Sequence, residues 1–216
     1  MLELIDQYWL YFLVGQYSNG PLGGLALTVL LAALALVLSL PLGLLLGIAR
    51  LSPWPALRWP VTALVYVVRG TPLLMVVFWA YFFLPGVTGF KTGQFGTMLV
   101  ALVAFNAVYL AEIVRAGVMS LPKGQCEAAR SLGLGYLATL RLILLPQALR
   151  RMLPSLLNQF ISTIKDTSLG YIIGLTDVAF IASQINTQAL TRPAEVYLLL
   201  ALSYFILCFG LSRVRP

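Results

Sequence analysis

Residues 127–146 read EAARSLGLGYLATLRLILLP. Glu127, Ala128 and Ala129 are followed by three residues, Gly133, nine residues, and then Ile143, Leu145 and Pro146. With each residue type present at about one in ten or less, seven such fixed positions arise by chance at below roughly one in ten million per start. Local physics gives this stretch a shape. Gly124 to Leu132 contains several good helix formers, and Gly133 supplies the left-handed residue that ends a short helix. Gly135 loosens the turn again, and a second helical run from Tyr136 to Leu145 is expected to stop at Pro146. Ala128 and Ala129 carry little bulk, so another surface can approach the backbone. Glu127 lies near the helix start, where the dipole favours a carboxylate.

This loop sits between long apolar runs. The chain has 216 residues, of which 60% are hydrophobic, and a mean hydropathy of +0.93. These values fit a polytopic membrane protein and exclude an ordinary soluble domain. The formal charge of +7 does not indicate a nucleic-acid binder, because the basic residues fall between apolar runs and form no basic domain. The sequence has no His, and Cys126 and Cys208 lack metal-ligand spacing, so no metal site is expected. It contains no phosphate-binding G-x-x-x-x-G-K-[ST] loop. The start, Met1-Leu2-Glu3-Leu4-Ile5-Asp6, lacks a basic leader, and no cleaved signal peptide is expected.

An all-α membrane fold with about five spans follows from the apolar runs. Residues 1–20, rich in Tyr and Trp, read as an interfacial segment. Residues 21–216 read as a single transmembrane domain whose loop occupies 121–146. The first span runs about Leu22 to Ala49, with Pro41 expected to kink it. The second lies between about Trp59 and Leu84, with a break expected at Arg69-Gly70-Thr71-Pro72 and an end at Pro85-Gly86. The third, about Phe95 to Ser120, carries Asn106, Glu112 and Arg115. The fourth, about Met152 to Leu175, is interrupted by Pro154, Lys165-Asp166, Gly170 and Gly174. Asp177 to Gln188 reads as a short helix, Thr191-Arg192-Pro193 as a turn, and Glu195 to Leu211 as the last span.

Loops on one side hold nine basic residues: Arg50, Arg58, Lys123, Arg130, Arg141, Arg150, Arg151, Arg213 and Arg215. The other side holds two, Lys91 and Arg192. That bias places the first side in the cytoplasm, with the N-terminus outside and the C-terminus inside.

Ionisable groups within spans are costly, which makes them functional candidates. Lys165 lies 15 residues beyond Arg150, about 22 Å along a helix. Lys165 and Asp166 adjoin Thr163, Thr167, Ser168 and Gly170, small polar residues suited to a helix break that opens onto a cavity. They either line a substrate path or pair structurally with other spans. Glu112 and Arg115, three residues apart, are placed to pair with each other. Arg69 and Asn106 complete the set of buried polar candidates.

The 127–146 stretch resembles the cytoplasmic loop of the membrane subunits of bacterial ATP-binding-cassette importers. Further segments resemble the polar amino-acid uptake branch: Arg69-Gly70-Thr71-Pro72-Leu73-Leu74, residues 111–117, Gly124-Gln125 before Glu127, and residues 165–169. Residues 74–79 with Pro85-Gly86, and residues 166–171, are most similar to glutamate/aspartate permeases. Ala116 departs from the glycine common in that branch, and Cys126 beside the loop motif is a second departure. The resemblance covers about residues 20 to 212. It implies a non-catalytic permease subunit in the bacterial inner membrane, in contact with lipid. Its partners would be a second permease subunit, identical or paralogous, an ATPase dimer that carries ATP and Mg, and a periplasmic or tethered binding protein. Glu127, Ala128, Ala129, Gly133 and Pro146 would couple to the ATPase, while Lys165, Asp166, Thr167, Ser168, Asn106, Glu112 and Arg69 would be candidates for the amino-acid path. A stand-alone secondary transporter or channel, and a membrane scaffold subunit, are the alternatives.

The charge bias makes a direct prediction. In a variant lacking Cys126 and Cys208, an impermeant thiol reagent applied from outside labels cysteines placed at positions 91 and 192. It does not label cysteines placed at 58 and 130. The reverse pattern inverts the topology.

Overall fold

A computed structural model of the chain describes residues 2–17, 20–89, 93–188 and 192–213. Lys91, Thr191 and Arg215, used above for topology and a turn, lie outside the described residues. Every element of regular structure in the described residues is helical, apart from isolated bridges. The helices are α1 (Leu2–Val14), α2 (Gly24–Leu51), α3 (Pro55–Arg69), α4 (Leu73–Phe78), α5 (Leu84–Thr88), α6 (Gln94–Met119), α7 (Lys123–Ser131), α8 (Tyr136–Thr139), α9 (Leu145–Asp166), α10 (Val178–Gln188) and α11 (Pro193–Arg213). A 3-10 segment, Thr167–Ile173, follows α9.

The bundle is built on α2 and α6, which run parallel. Gly43 of α2 faces Ala107 and Leu110 of α6, and one turn on Gly47 faces Ala111 and Val114. A Cβ on Gly43 would lie 2.4 Å from the Leu110 Cβ, and one on Gly47 2.7 Å from that of Val114. Gly43 and Gly47 form a G-x-x-x-G pair within a buried stripe that includes Thr28, Ala32, Ala35 and Ser39. In lipid, where burying apolar surface gives no advantage over the acyl chains, such small residues let two backbones meet closely. On the other side of α6, Gly117 accommodates Met152 of α9. One apolar core joins α2, α4 and α6 to the 3-10 segment through Leu31, Val77, Leu102 and Ile173. A second joins α1, α10 and α11 at the end of the bundle far from the 127–146 loop, through Phe12, Ile181 and Val196. There Asp177, buried and ahead of α10, accepts a hydrogen bond from the Phe180 N–H at 2.9 Å. Burial pushes its carboxyl up to about 7.

Three helices, α2, α6 and α11, are long and apolar enough to cross a membrane. The pair α3 and Leu73–Val87, bent by 102° at the Gly70–Pro72 break, makes a fourth if counted as one span. The expected interruption is thus present, and sharper than a kink. Pro72 disfavours helix at Thr71, and Gly70 weakens the preceding turn. The remaining expected span, the fourth, corresponds to α9, which begins earlier, at Leu145, and whose 22 residues reach about 33 Å. Its Gln147, Arg150, Arg151, Gln159 and Lys165 make it too polar to pass on composition.

Pro41 lies inside α2, as expected. Prolines behave differently from the expectation in three places: Pro154, Pro85 and Pro146. Pro154 lies inside α9, which continues through it. Neither Pro85 nor Pro146 ends a helix. Each follows a five-residue π turn, Trp79–Phe83 and Leu140–Leu144. Beyond those turns the Leu84 N–H bonds to the Trp79 carbonyl and the Leu145 N–H to that of Leu140. Widening the turn before a proline accommodates a ring that would otherwise strike the carbonyl four residues back. The segment ends instead at Gly89 (φ 71°), and helical structure runs from Tyr136 to Asp166.

Gly47→Leu forces α2 and α6 apart, whereas Gly86→Ala, with nothing within 4 Å of its Cβ position, does not. Unfolding of the detergent-solubilised protein should show a loss of about 2 kcal/mol or more for the first and less than about 1 kcal/mol for the second. Equal losses would remove the close α2–α6 contact as a determinant of stability.

Candidate functional site

The loop helix α7 closes as a full Schellman motif. The Leu134 N–H bonds to the Ala129 carbonyl at 3.1 Å and the Gly133 N–H to the Arg130 carbonyl at 2.9 Å. Gly133 has φ 77°, and no atom lies within 4 Å of where its Cβ would be. Glycine is therefore needed there for backbone conformation, not for space. Glu127 and Ala128 are exposed and Ala129 is buried, so the three do not share one surface. Glu127, Lys123, Cys126 and Arg130 line a cleft of about 370 Å³ shared with Leu121 and Leu144. On the other side, Leu137 is 72% exposed and borders a 510 Å³ apolar cleft with Trp54 and Leu57. The Tyr136 hydroxyl donates to the Leu51 carbonyl at 2.7 Å, tying the start of α8 to the end of α2. Pro146 sits in the first turn of α9, beyond the π turn.

The intramembrane candidates fall into three groups. Glu112 is the centre of the first. It pairs with Arg50 of α2, with Arg115 of α6 at 2.5 Å, and with Arg69 of α3 at 3.5 Å. The Arg115 Nε also donates to the same carboxylate at 3.1 Å. The Arg50 guanidinium lies over Tyr66 at 5.6 Å and that of Arg69 over Tyr109 at 5.3 Å, both within cation–π range. One carboxylate thus joins three helices. The expected Glu112–Arg115 pair is present, and it is part of this larger assembly. Arg50 was read from the sequence as a loop charge, yet its side chain is only 2% exposed.

The second group is a buried amide network. Asn106, fully buried, accepts from Gln159 at 2.8 Å and from the Thr163 hydroxyl at 3.0 Å, linking α6 to α9. Sequence reading singled out Asn106 but not its partner Gln159. The signal was available, because Gln159 and Thr163 are four apart and share one helix face.

Lys165 and Asp166 form the third. They end α9, where the helix tightens into the 3-10 segment. Lys165 is exposed, Asp166 half-buried, Thr167 buried, and Ser168 donates to the Lys165 carbonyl at 2.7 Å. Neither charge forms a salt bridge among the described residues. The structure does not bring this pair to Glu112 or to Asn106; it places them one above another along the bundle. No group of three or more His, Cys, Asp or Glu placed to hold a metal occurs among the described residues.

A helical membrane bundle with an exposed, glycine-closed loop helix and buried charges defines a transport-permease class. Residues 39–215 match the family described as binding-protein-dependent transport system inner membrane component. The chain belongs to that family. It is 40% identical to the probable glutamine ABC transporter permease protein GlnP of Bacillus subtilis over 92% of this chain and 94% of that one. It is 37% identical to the glutamate/aspartate import permease protein GltK of Escherichia coli O6:H1, over 88% of each chain. A solved structure titled "Crystal structure of an amino acid ABC transporter with histidines" superposes with a TM-score of 0.81 at 31% identity, covering 88% of each chain. The protein is an amino-acid ABC importer permease and not an enzyme; ATP hydrolysis belongs to a separate chain.

Removing one partner of a buried ion pair leaves the other uncompensated. Glu112→Gln should therefore destabilise the protein by about 3 kcal/mol, while Arg50→Met combined with Glu112→Leu should recover part of that loss. Thermal unfolding in detergent measures both. An unchanged midpoint for Glu112→Gln would show that the cluster does not hold α2, α3 and α6 together.

Proposed function

We propose that this chain forms half of an ATP-driven amino-acid pathway and couples it to a cytoplasmic ATPase through α7. The observation that carries the reading is the geometry of residues 127–134: an exposed helix that presents Glu127 and the small Ala128, stopped by a left-handed glycine and joined through Tyr136 to the long helical run that ends at Asp166. In this reading a second permease subunit, identical or paralogous, completes the pathway. The ATPase dimer binds ATP and Mg, and a periplasmic or tethered binding protein delivers the amino acid. The loop faces the cytoplasm of the bacterial inner membrane with the C-terminus, and the N-terminus lies outside. Ala129 supports the helix from beneath, and Pro146 fixes the π turn that joins α8 to α9.

The substrate is a polar amino acid, with glutamate and aspartate favoured by residues 74–79 and 166–171. Lys165, Asp166, Thr167 and Ser168 line the path at the end of α9, where the change to 3-10 geometry frees backbone groups to replace water around a zwitterion. Lys165 favours a carboxylate, and Asp166 the ammonium or a structural cation. Asn106 lies on the same helix pair.

Reconstitution with ATPase and binding protein in proteoliposomes tests the reading. ATP-dependent uptake of at least one of glutamate, aspartate, glutamine, cystine and arginine is expected. Gly133→Val and Glu127→Lys insert and assemble but lose uptake while retaining ATP hydrolysis. A β-branched residue resists positive φ, and a lysine reverses the charge at the helix start. Lys165→Met lowers uptake of acidic amino acids by about tenfold, on the scale of one charge-assisted hydrogen bond; Asp166→Asn has a smaller effect. Unchanged transport in a variant removes that residue from its proposed role.

A further inference from the structure

The Glu112 cluster is unbalanced. Three guanidiniums from three helices converge on one carboxylate, leaving two positive charges in excess within a predominantly apolar bundle. Their hydrogen-bonding capacity is also underused. Arg69 reaches Glu112 only at 3.5 Å. Arg115 directs its Nη1 at the Met119 sulfur, a weak acceptor. The Nε of Arg50, in a buried side chain, has no hydrogen-bond partner. A buried cation such as Arg50 is normally matched by an anion and saturated by acceptors.

The site is also reachable. The side chains of Arg69 and Arg115 are 35% and 29% exposed, against 2% for Arg50. Glu112 forms part of the wall of a groove of about 310 Å³ between α6 and α9, with Gly117, Ser120 and Ser155. Arg151 also borders that groove, donating to the Ser120 carbonyl at 2.7 Å. Arg50 is thus the buried member of the cluster, whereas Arg69 and Arg115 are its partly exposed members, beside the groove and not in its wall. Both already contact opposite oxygens of one carboxylate, which is the geometry that a second carboxylate requires.

We propose that Arg69 and Arg115 form a binding site for the carboxylate of the transported amino acid. Glu112 is the internal carboxylate that keeps the two guanidiniums together until the ligand arrives. The proposal rests on the amino-acid importer reading and adds to the Lys165 site a second anionic subsite, at the level of Glu112. It explains why one glutamate faces three arginines: full neutralisation would leave nothing for the ligand.

The wild-type complex with its ATPase, in phosphatidylcholine nanodiscs, is first assayed for binding of whichever of glutamate, aspartate, glutamine, cystine or arginine it transports. If none is transported, the importer reading fails and the subsite falls with it. If one is, Arg69→Gln and Arg115→Gln should each weaken its binding to the complex by about tenfold or more, and Arg69→Lys should restore part of it. The α-carboxamide of the same amino acid should bind equally poorly to wild type and variants. Unchanged affinity in assembled variants overturns the subsite while leaving the importer reading intact. So does a loss seen only when phosphatidylglycerol is included, which would assign the cluster to a lipid phosphate. A second arm uses Glu112→Ala, which vacates the three guanidiniums. Millimolar acetate should raise its unfolding temperature and leave wild type unmoved, whereas chloride at equal ionic strength should not. Absence of an acetate-specific rise overturns the proposal, and this arm alone decides if the arginine variants fail to assemble.

Discussion

The contact between α2 and α6 sets the geometry on which the other helices depend. At Gly43 and Gly47 the two backbones approach so closely that no side chain fits between them. In a membrane, helix association relies on packing and interhelical polar contacts, because lipid is as apolar as a leucine side chain. Close approach therefore has a consequence beyond the contact itself. It brings Arg50, near the end of α2, within reach of Glu112, which lies about one and a half to two turns above the end of α6. Had the helices been held apart by larger residues, Arg50 would have had to find headgroups or water. The small-residue stripe and the buried ion cluster are thus one arrangement: the first makes the second geometrically possible.

Polar groups placed inside the bundle act at distinct levels. Glu112 joins α2, α3 and α6 near the loop. Asn106, Gln159 and Thr163 join α6 to α9 higher up, and Lys165-Asp166 marks the end of α9. The central network is neutral and buried, so desolvation costs it less than it costs ions and hydrogen bonds can satisfy most of it. The flanking groups are charged and partly exposed.

Much of this was legible in the sequence, and the misses have physical causes. Apolar run lengths located α2, α6 and α11, and the glycine and alanine spacing located α7 and its left-handed stop at Gly133. Proline was overread. At Pro85 and Pro146 a helix terminus was expected, because proline removes a hydrogen bond and crowds the preceding turn. Each chain segment answers with a π turn, a register change that leaves no residue-level signature of its own. Pro154 was likewise absorbed within α9. Arg50 was misplaced for a different reason: a charge next to a proline-rich loop looks solvated, and only the tertiary approach of Glu112 buries it. The Gly43–Gly47 pair could have been found, since the spacing stands in an apolar run, but nothing local to α2 names α6 as its partner.

The π turn before Pro146 carries a mechanical consequence. Had the helix ended there, the loop would connect to α9 through a flexible joint, and displacement of α7 would dissipate in that joint. Instead Tyr136 to Asp166 is a helical path of 31 residues, about 46 Å long. Its lower end is tied to α2 by the Tyr136 hydroxyl, and its upper end is the transition to 3-10 geometry at Thr167. A helix transmits a push along its axis because each turn is hydrogen-bonded to the next. The π turn, one residue wider, allows a small rotation without breaking the ladder. Under the proposed function, movement of α7 by the ATPase would therefore reach Lys165 and Asp166 as rotation or translation of α9 as a unit. The same proline that would break a soluble helix here preserves a stiff connection with one compliant turn.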